Sequence, residues 1–283
     1  DDDSVDPMAT ALALARVVAI RRKSGAEPLT FGMTFPFSTH NYQLRFWMAA
    51  GGVDPDEDVR LVVLPPPYMV DSLANGHVDA FCVGAPWNSV AVDLGVGHIL
   101  HFVSDILVRA AEKVLAVRQT WSEKNPDILA ALIRAASRAA EFIEQPDNRA
   151  EAAQILSRRE RIGVDAEVIQ RTLDGRLKVS PDGTRRESSR YLLVGREGAA
   201  RPNPAQAAWL YAQMVRWGQT QAGPEALSTA VGVFRPDLYD AALGRPAAAS
   251  DVPDVIGAFA GPAFDPNDIA GHLAAFNIGQ WKP

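Results

Sequence analysis

The sequence has one cysteine, Cys82, no apolar run long enough to cross a membrane, and fewer basic than acidic residues. A single cysteine excludes a disulfide framework within the chain. The apolar stretch at residues 8–20 is interrupted by Arg16 and is too short for a transmembrane helix. With 28 basic against 34 acidic residues the net charge is −6, so we expect no direct nucleic-acid binding through a basic surface.

Motifs of the common enzyme classes are also missing. The chain has no G-x-S-x-G, no Walker loop, no G-x-G-x-x-G and no H-E-x-x-H. His98 and His101 have a spacing that suits a metal site on a helix, but a strand is expected there. Cys82 stands between Phe81 and Val83 in a predicted strand, which indicates a buried, inert thiol. We therefore expect no enzyme activity, no metal and no cofactor.

The 283 residues are 47% apolar and 22% charged, which is typical of a globular protein with one large or two smaller domains. In the first third of the chain, short β-type runs alternate with helical patterns. Because parallel strands need crossover connections, this alternation predicts an α/β fold with a largely parallel sheet. The predicted strands are residues 29–35, 59–64 and 79–83, and the predicted helices are residues 8–23, 38–50, 68–74 and 87–94.

After residue 113 the pattern becomes mainly helical. Residues 114–118 predict one more strand, and the polar residues 177–189 predict a mobile loop or lid. The tail from Gly244, rich in Ala, Gly and Pro, is expected to wrap the surface. The predicted helices of this part are residues 126–145, 149–158, 165–173 and 204–218.

Three strand-to-helix turns share a pattern of small or proline residues. In a parallel sheet all three lie at the carboxyl edge of the strands, where ligands bind. Helix N-termini carry unpaired N–H groups and partial positive charge, so several of them meeting there predict an anion site. Ser38 or Thr39 is a suitable N-cap, which places His40 in the first helical turn, and Trp87 is either core or a wall that excludes water. One such turn alone indicates only helix initiation, so the argument rests on its recurrence at residues 36–40, 65–67 and 84–87.

Several motifs resemble those of the nitrate-binding family, among them P-F-S-T-H, V-L-P-P-P, F-C-V-G-A-P-W-N and E-K-V-L. That family includes the solute-binding proteins of nitrate and bicarbonate ABC transporters, and a bacterial nitrate/nitrite sensor that works with an RNA-binding antiterminator. The resemblance is dense between residues 30 and 126 and looser after residue 220. The matching segments are residues 35–47, 49–55, 63–67, 80–88, 112–115, 121–126, 148–149 and 214–218.

The resemblance implies a type II periplasmic-binding-protein-like fold, in which two α/β lobes with mostly parallel sheets close on a ligand. It implies that residues 1–110 form mainly the second lobe, with the strand-to-helix turns that bind the ligand. Residues 111–283 would then return to the first lobe and supply the hinge strand and the C-terminal helices. On this interpretation we expect the first lobe to be incomplete at the N-terminus.

The resemblance also implies a binding site. The ligand-binding positions of the family fall on four residues, with two more as a secondary wall or cap: His40, Pro66, Gly84 and Lys113, then Thr39 and Trp87. Nitrate is a planar anion with acceptor oxygens only, so it suits the donors and charge of His40 and Lys113 and a close backbone approach at Gly84. Pro66 lacks an N–H and can serve only through packing or its carbonyl. Bicarbonate-binding relatives are expected to carry a calcium-holding acidic residue at the position of Lys113, so a lysine favours nitrate or nitrite.

The implied function is binding of nitrate or nitrite, for delivery to an ABC permease or for sensing with an antiterminator partner. Residues 37–42 and 214–218 look closest to the sensor branch, which favours a cytoplasmic location over a periplasmic or lipid-anchored one. The alternatives are a bicarbonate-binding transport protein and an enzyme of the same fold, such as a thiamine-pyrimidine synthesis-like protein. The enzyme needs reactive His and Cys side chains in an exposed cleft, and the expected burial of Cys82 argues against it.

Overall fold

A computed structural model describes residues 6–244 and 256–281. Its first part alternates helices with short strands, as the sequence pattern predicts. The elements are α1 (Pro7–Ser24), β1 (Thr30–Met33), α2 (Thr39–Ala50), β2 (Arg60–Val63), α3 (Pro66–Ala74), β3 (Ala80–Phe81), α4 (Trp87–Asp93) and α5 (Val103–Ile106). None of the helices in the described ranges is long and apolar enough to span a bilayer.

The first three strands form one parallel sheet in the order β2–β1–β3. Phe31 of β1 pairs with Leu61 of β2 on one side and with Ala80 of β3 on the other. The predicted parallel sheet is therefore confirmed, and the three strands end at the same edge. The chain first moves outward from β1 to β2 and then crosses back over β1 to β3, so the strand order reverses beside β1. Such a reversal opens a crevice at the carboxyl edge.

Helices cover both faces of this sheet. Phe31 belongs to the large hydrophobic cluster on the side of α1 and α2. The next residue, Gly32, faces α3 so closely that a Cβ there would lie 2.9 Å from Met69 Sδ. A close contact also joins α1 to the end of α2, since a Cβ on Gly51 would lie 2.4 Å from the backbone of Ala11. The first contact holds α3 against one face of the sheet, and the second holds α1 against α2 on the other face.

The second part is mainly helical. Its elements are α6 (Gln119–Lys124), α7 (Pro126–Glu144), α8 (Arg149–Leu156), α9 (Ala166–Asp174), β4 (Arg176–Lys178), β5 (Arg185–Glu187), α10 (Pro204–Arg216), α11 (Pro224–Gly232), α12 (Pro236–Leu243) and α13 (Ile269–Ala274), with 3₁₀ turns at Pro146–Asn148 and Arg196–Gly198. The four helices predicted here are confirmed as α7, α8, α9 and α10. Helices α6, α11, α12 and α13 were not predicted, although α11 and α12 each have a proline at the first position.

The strand predicted at residues 114–118 is wrong. These residues have no regular secondary structure and pair with no strand in the described part of the chain. A strand needs a neighbour for its N–H and C=O groups, and this segment instead runs along an open cleft, with Val114 and Leu115 exposed. The strand expected around His98 and His101 is also wrong, because that segment has no regular secondary structure.

Residues 177–189 are not the predicted loop or lid, because they contain the antiparallel pair β4–β5. Leu177 and Val179 are buried against Phe102, and the N–H of Ile99 donates to the carbonyl of Val179 at 2.9 Å. Burial of two alternate side chains on one face anchors the hairpin, despite its polar composition.

The end of the chain is part of the main core and does not simply wrap the surface as predicted. Ile256, Phe264 and Leu273 are buried in the large cluster, which also contains Tyr42 of α2 and Trp209 of α10. A few apolar residues spaced along this Gly- and Pro-rich segment are buried against α2 and α10, and their burial attaches the segment to the main core. The part of that prediction between residues 245 and 255 lies outside the described residues. The lobe boundary between residues 110 and 111 stays a prediction.

Candidate anion-binding site

A cleft of about 1830 Å³ opens at the carboxyl edge of the sheet. One wall contains residues that follow β1 and β3, and the other walls include residues 108–117, part of α7, residues 190–194 and residues 197–203. The residues after β1 and β3 lie beside the reversal of strand order, which is where an open α/β sheet is expected to bind a ligand.

His40 is positioned by the N-terminus of α2. The Ser38 side chain accepts a hydrogen bond from the N–H of Asn41 at 3.2 Å, so Ser38 is the N-cap and His40 lies in the first turn. The His40 ring is nearly buried, with Nδ1 3.4 Å from Thr34 Oγ1. Its Nε2 atom faces the cleft and lies 3.3 Å from Glu112 Oε1. The packing of this ring therefore presents one nitrogen to the cleft.

Gly84 follows β3 and makes room for three polar side chains. A Cβ at this position would lie 2.7 Å from Glu112 Oε1, 3.4 Å from Lys113 Nζ and 3.6 Å from His40 Nε2. Any side chain here would enter the space on which these atoms converge. We call the space bounded by His40, Gly84, Glu112 and Lys113 the Gly84 pocket.

Glu112 and Lys113 reach this pocket because their segment is tied to α2. Thr39 Oγ1 donates a hydrogen bond to the carbonyl of Ala111 at 2.7 Å. Lys113 Nζ in turn donates to Glu112 Oε1 at 2.6 Å. The Lys113 side chain is 79% exposed and that of Glu112 is 37% exposed, so the pocket is closed on the side of His40 and open on the side of Lys113.

The electrostatics of the pocket centre on Glu112. The hydrogen bond from His40 lowers the pKa of Glu112 to about 2, against the effect of partial burial, and Lys113 contributes in the same direction. The carboxylate is therefore ionised at neutral pH, with one of its oxygens in contact with both nitrogen-bearing side chains.

The structure brings together three of the four residues predicted to bind the ligand: His40, Gly84 and Lys113. Pro66 begins α3 after β2 and does not line the cleft. The strand order explains its position, because β2 lies on the far side of β1 from β3. The predicted role of Pro66 in binding stays a prediction.

The two residues predicted as a secondary wall or cap take different positions. Thr39 supports the pocket indirectly, through its hydrogen bond to Ala111. Trp87 does not line the cleft, and instead packs against a separate hydrophobic cluster that contains Val164 and Ile169. Trp87 is therefore partly buried against this cluster, and its predicted role as a secondary wall or cap of the site stays a prediction.

Sequence reasoning missed Glu112, Asn88 and Tyr191 as site residues. Asn88 Nδ2 donates to the Tyr191 hydroxyl at 3.2 Å, and both residues line the cleft. Burial raises the pKa of Tyr191 to about 12, so its hydroxyl stays neutral. Glu112 precedes Lys113 in the E-K-V-L motif, and this position in a motif of the resemblance could have marked it as a site residue. No sequence signal marked Tyr191.

Cys82 is only partly buried, follows β3 and lines the cleft, whereas the sequence predicted a buried thiol within a strand. Burial raises the pKa of the Cys82 thiol to about 12, and the charge of Glu112 adds to this, so the thiolate needed for nucleophilic attack is scarce at neutral pH. Within residues 6–244 and 256–281, no group of three His, Cys, Asp or Glu side chains is placed to hold a metal ion.

A family model described as the NMT1-like family matches residues 2–157 of this sequence, which is more than half of the chain. The chain belongs to the NMT1-like family. This NMT1-like chain is 34% identical over 255 residues to the nitrate import ATP-binding protein NrtC of a Synechocystis species, covering 88% of this chain and 38% of that protein. It is 32% identical over 231 residues to the bicarbonate-binding protein CmpA of a Synechococcus species, covering 78% of this chain and 51% of CmpA.

A solved structure supports the same relationship. The crystal structure of the periplasmic nitrate-binding protein NrtA from Synechocystis PCC 6803 matches with a TM-score of 0.87 and 28% identity, covering 98% of this chain and 72% of that one. The predicted resemblance and the α/β fold with a parallel sheet are confirmed. The NMT1-like chain spans about half or less of the length of the two curated relatives.

Proposed function

We propose that this NMT1-like chain binds a small planar oxyanion, nitrate or nitrite, in the Gly84 pocket. One observation carries the proposal: His40 Nε2 and Lys113 Nζ converge on the space that Gly84 leaves free, at the carboxyl edge of the sheet. Binding of nitrate by the structurally similar NrtA supports the same choice of ligand.

The pocket suits an anion that can only accept hydrogen bonds. His40 presents one ring nitrogen and Lys113 presents an ammonium group with three donors. Gly84 lacks a side chain, so a ligand oxygen can approach the backbone after β3. Charge matters because an unpaired anion is costly to remove from water. His40 and Lys113 offset that cost for a ligand carrying one negative charge, in competition with Glu112, whose Oε1 atom contacts both donors.

The function we propose is binding without catalysis. Attack by a cysteine requires a thiolate, and the raised pKa of Cys82 disfavours that form. The relatives reported above are named for binding and import, which supports the same choice.

Delivery of the anion to an ABC permease is the biological role we propose. Similarity to a nitrate import protein and to a periplasmic nitrate-binding protein supports this role and a periplasmic location. The sensor role that the sequence favoured, with its antiterminator partner and its cytoplasmic location, has no counterpart among these relatives.

Bicarbonate is the second candidate ligand, and one observation favours it. Bicarbonate has a hydroxyl group that can donate a hydrogen bond, which nitrate lacks. Glu112 Oε1 is an acceptor at the centre of the pocket. The similarity to CmpA, named as a bicarbonate-binding protein, points the same way. Nitrate stays the first choice because bicarbonate-binding relatives are expected to carry a calcium-holding acidic residue at the position of Lys113, and a positive charge there disfavours calcium.

Calorimetry tests the proposal. The protein is titrated with nitrate, nitrite, sulfate, and bicarbonate with and without calcium. We expect micromolar binding of nitrate or nitrite, and a loss of at least about tenfold in affinity, about 1.4 kcal/mol, for His40→Ala and for Lys113→Ala. Each substitution removes a donor and, with Lys113, a full positive charge from the pocket.

Lys124→Ala is the matched control, because it removes the same charge from the last turn of α6, outside the cleft lining. We expect its nitrate affinity to equal that of the wild type. Binding of bicarbonate with calcium, together with no binding of nitrate, would show that the ligand assignment is wrong.

A further inference from the structure

The Gly84 pocket already contains an anionic group, the carboxylate of Glu112. Its Oε1 atom lies 2.6 Å from Lys113 Nζ and 3.3 Å from His40 Nε2. The same atom lies 2.7 Å from the position that a Gly84 Cβ would take. One oxygen of a planar, singly charged group therefore stands at the point where the proposed donors meet.

Nitrate and this carboxylate compete for the same donors in the pocket. Both are planar anions that accept hydrogen bonds through oxygens of similar size, and both need the same two nitrogen donors. A nitrate oxygen placed between His40 and Lys113 would overlap Glu112 Oε1 or lie against it as a second negative charge. Like charges at such a distance repel strongly in a partly closed site.

We propose that Glu112 is a built-in competitor of the ligand: its carboxylate occupies the anion site in the empty protein and must leave when nitrate or nitrite enters. This inference rests on the function proposed above. It assigns to Glu112 a role in setting affinity, since an incoming anion gains only the difference between its own contacts and those that the carboxylate gives up.

The local structure allows the exchange. The Glu112 side chain is 37% exposed, so it can turn outward into water without a buried path. Its segment has no regular secondary structure, and its neighbour Lys113 is mostly exposed. Thr39 holds the backbone one residue earlier, at Ala111, so the side chain can move while the segment stays attached to α2.

Glu112 does not leave the pocket by becoming protonated. The pKa of Glu112 is held at about 2, so the carboxylate stays charged at neutral pH and must move aside as an anion. The energetic cost of separating it from His40 and Lys113 therefore opposes the binding of every competing anion. Neutralising Glu112 without changing its shape removes the repulsion, and it lowers the cost of separation because a neutral amide oxygen is a weaker acceptor than a carboxylate.

The test compares Glu112→Gln with wild type by calorimetry, using sodium nitrate, sodium nitrite and sodium bicarbonate at neutral pH. We expect nitrate to bind Glu112→Gln at least about tenfold more tightly, because the amide carries no charge to displace. Glu123→Gln is the matched control, since it removes the same charge from an exposed position on α6, outside the cleft lining. Its affinity for nitrate should equal that of wild type.

Three results are distinguishable. If wild type binds nitrate and Glu112→Gln binds it no more tightly, the competitor role is wrong while the proposed function stands. If Glu112→Gln loses bicarbonate binding and leaves nitrate unchanged, Glu112 is a ligand acceptor and the competitor role is overturned. If neither protein binds nitrate or nitrite, the proposed function fails and the inference fails with it.

Discussion

Two carboxylates in this molecule are each held by several nitrogen donors, and they differ in the kind of donor that holds them. Glu144, the last residue of α7, accepts hydrogen bonds from the backbone N–H groups of Val194, Gly195 and Arg196 at 2.7, 2.9 and 3.4 Å. Glu112 is held by two side chains at the edge of the cleft. In both cases the pKa of the carboxyl is lowered.

The kind of donor indicates a structural role for Glu144 and a role in ligand binding for Glu112. The Glu144 side chain is 11% exposed. Burial alone would raise its pKa, but the N–H groups of Gly195, Val194 and Arg196 outweigh that effect. Those donors are part of the backbone and cannot turn away, so Glu144 is a permanent link between α7 and residues 194–196. The donors of Glu112 are side chains that face open solvent on one side, so another anion can replace it.

The largest expected effect is on stability. We expect Glu144→Ala to lower the free energy of unfolding by about 2–3 kcal/mol, because it leaves three N–H groups without their acceptor. Glu112→Ala should lower it by less than about 1 kcal/mol, since its partners become hydrated. Urea unfolding followed by circular dichroism measures both. The control is Glu187→Ala, which breaks only an exposed pair with Arg176 and should change stability by less than about 0.5 kcal/mol. Equal losses for Glu112 and Glu144 would contradict the distinction.

A smaller effect is expected at the glycine that belongs to each site. A Cβ on Gly84 would enter the Gly84 pocket, so Gly84→Ala should weaken nitrate binding by at least about tenfold, or about 1.4 kcal/mol, and leave unfolding nearly unchanged. A Cβ on Gly195 would lie 3.1 Å from the backbone of Ala140, so Gly195→Ala should lower stability by about 1 kcal/mol and leave nitrate binding unchanged. Calorimetry and urea unfolding of both variants measure the two quantities. A loss of nitrate affinity in Gly195→Ala would show that the two sites are coupled.

The sequence predicted the first part of the fold well because the signals there are local. Ser38 caps α2, Gly25 ends α1 in a left-handed conformation, and short apolar runs mark the strands. The errors fall where structure depends on distant partners. Leu177 forms part of a hairpin because Phe102 packs against it, and Leu273 is buried because the far end of the chain meets the main core.

The sequence predicted those parts of the site whose positions depend only on the parallel sheet. Residues after β1 and β3 meet because parallel strands end at one edge, which the pattern of strands and helices predicts. The order of those strands is not written in local patterns, so the separation of Pro66 from the cleft could not be foreseen. The contact of Glu112 with His40 joins residues far apart in sequence, and it depends on the hydrogen bond from Thr39 to Ala111. Such contacts are properties of the packed molecule.

The smallest expected effect is the pH dependence of the stability that Glu112 contributes through its contacts with His40 and Lys113. Its folded-state pKa of about 2 is below the ordinary 4.5, so its stabilising effect is present above about pH 4.5 and is lost as the pH falls towards 2. We expect the difference in unfolding free energy between wild type and Glu112→Gln to shrink as the pH falls from about 4.5 towards 2. The difference stays under about 1 kcal/mol because the side chain is 37% exposed and screened by water. Urea unfolding of both proteins at each pH measures it, and other acidic groups, Glu144 included, cancel in the comparison. A difference that vanishes by about pH 5, or that stays unchanged down to about pH 2, would mean that His40 and Lys113 do not hold this carboxylate, and the proposed competition between Glu112 and the ligand would lose its basis.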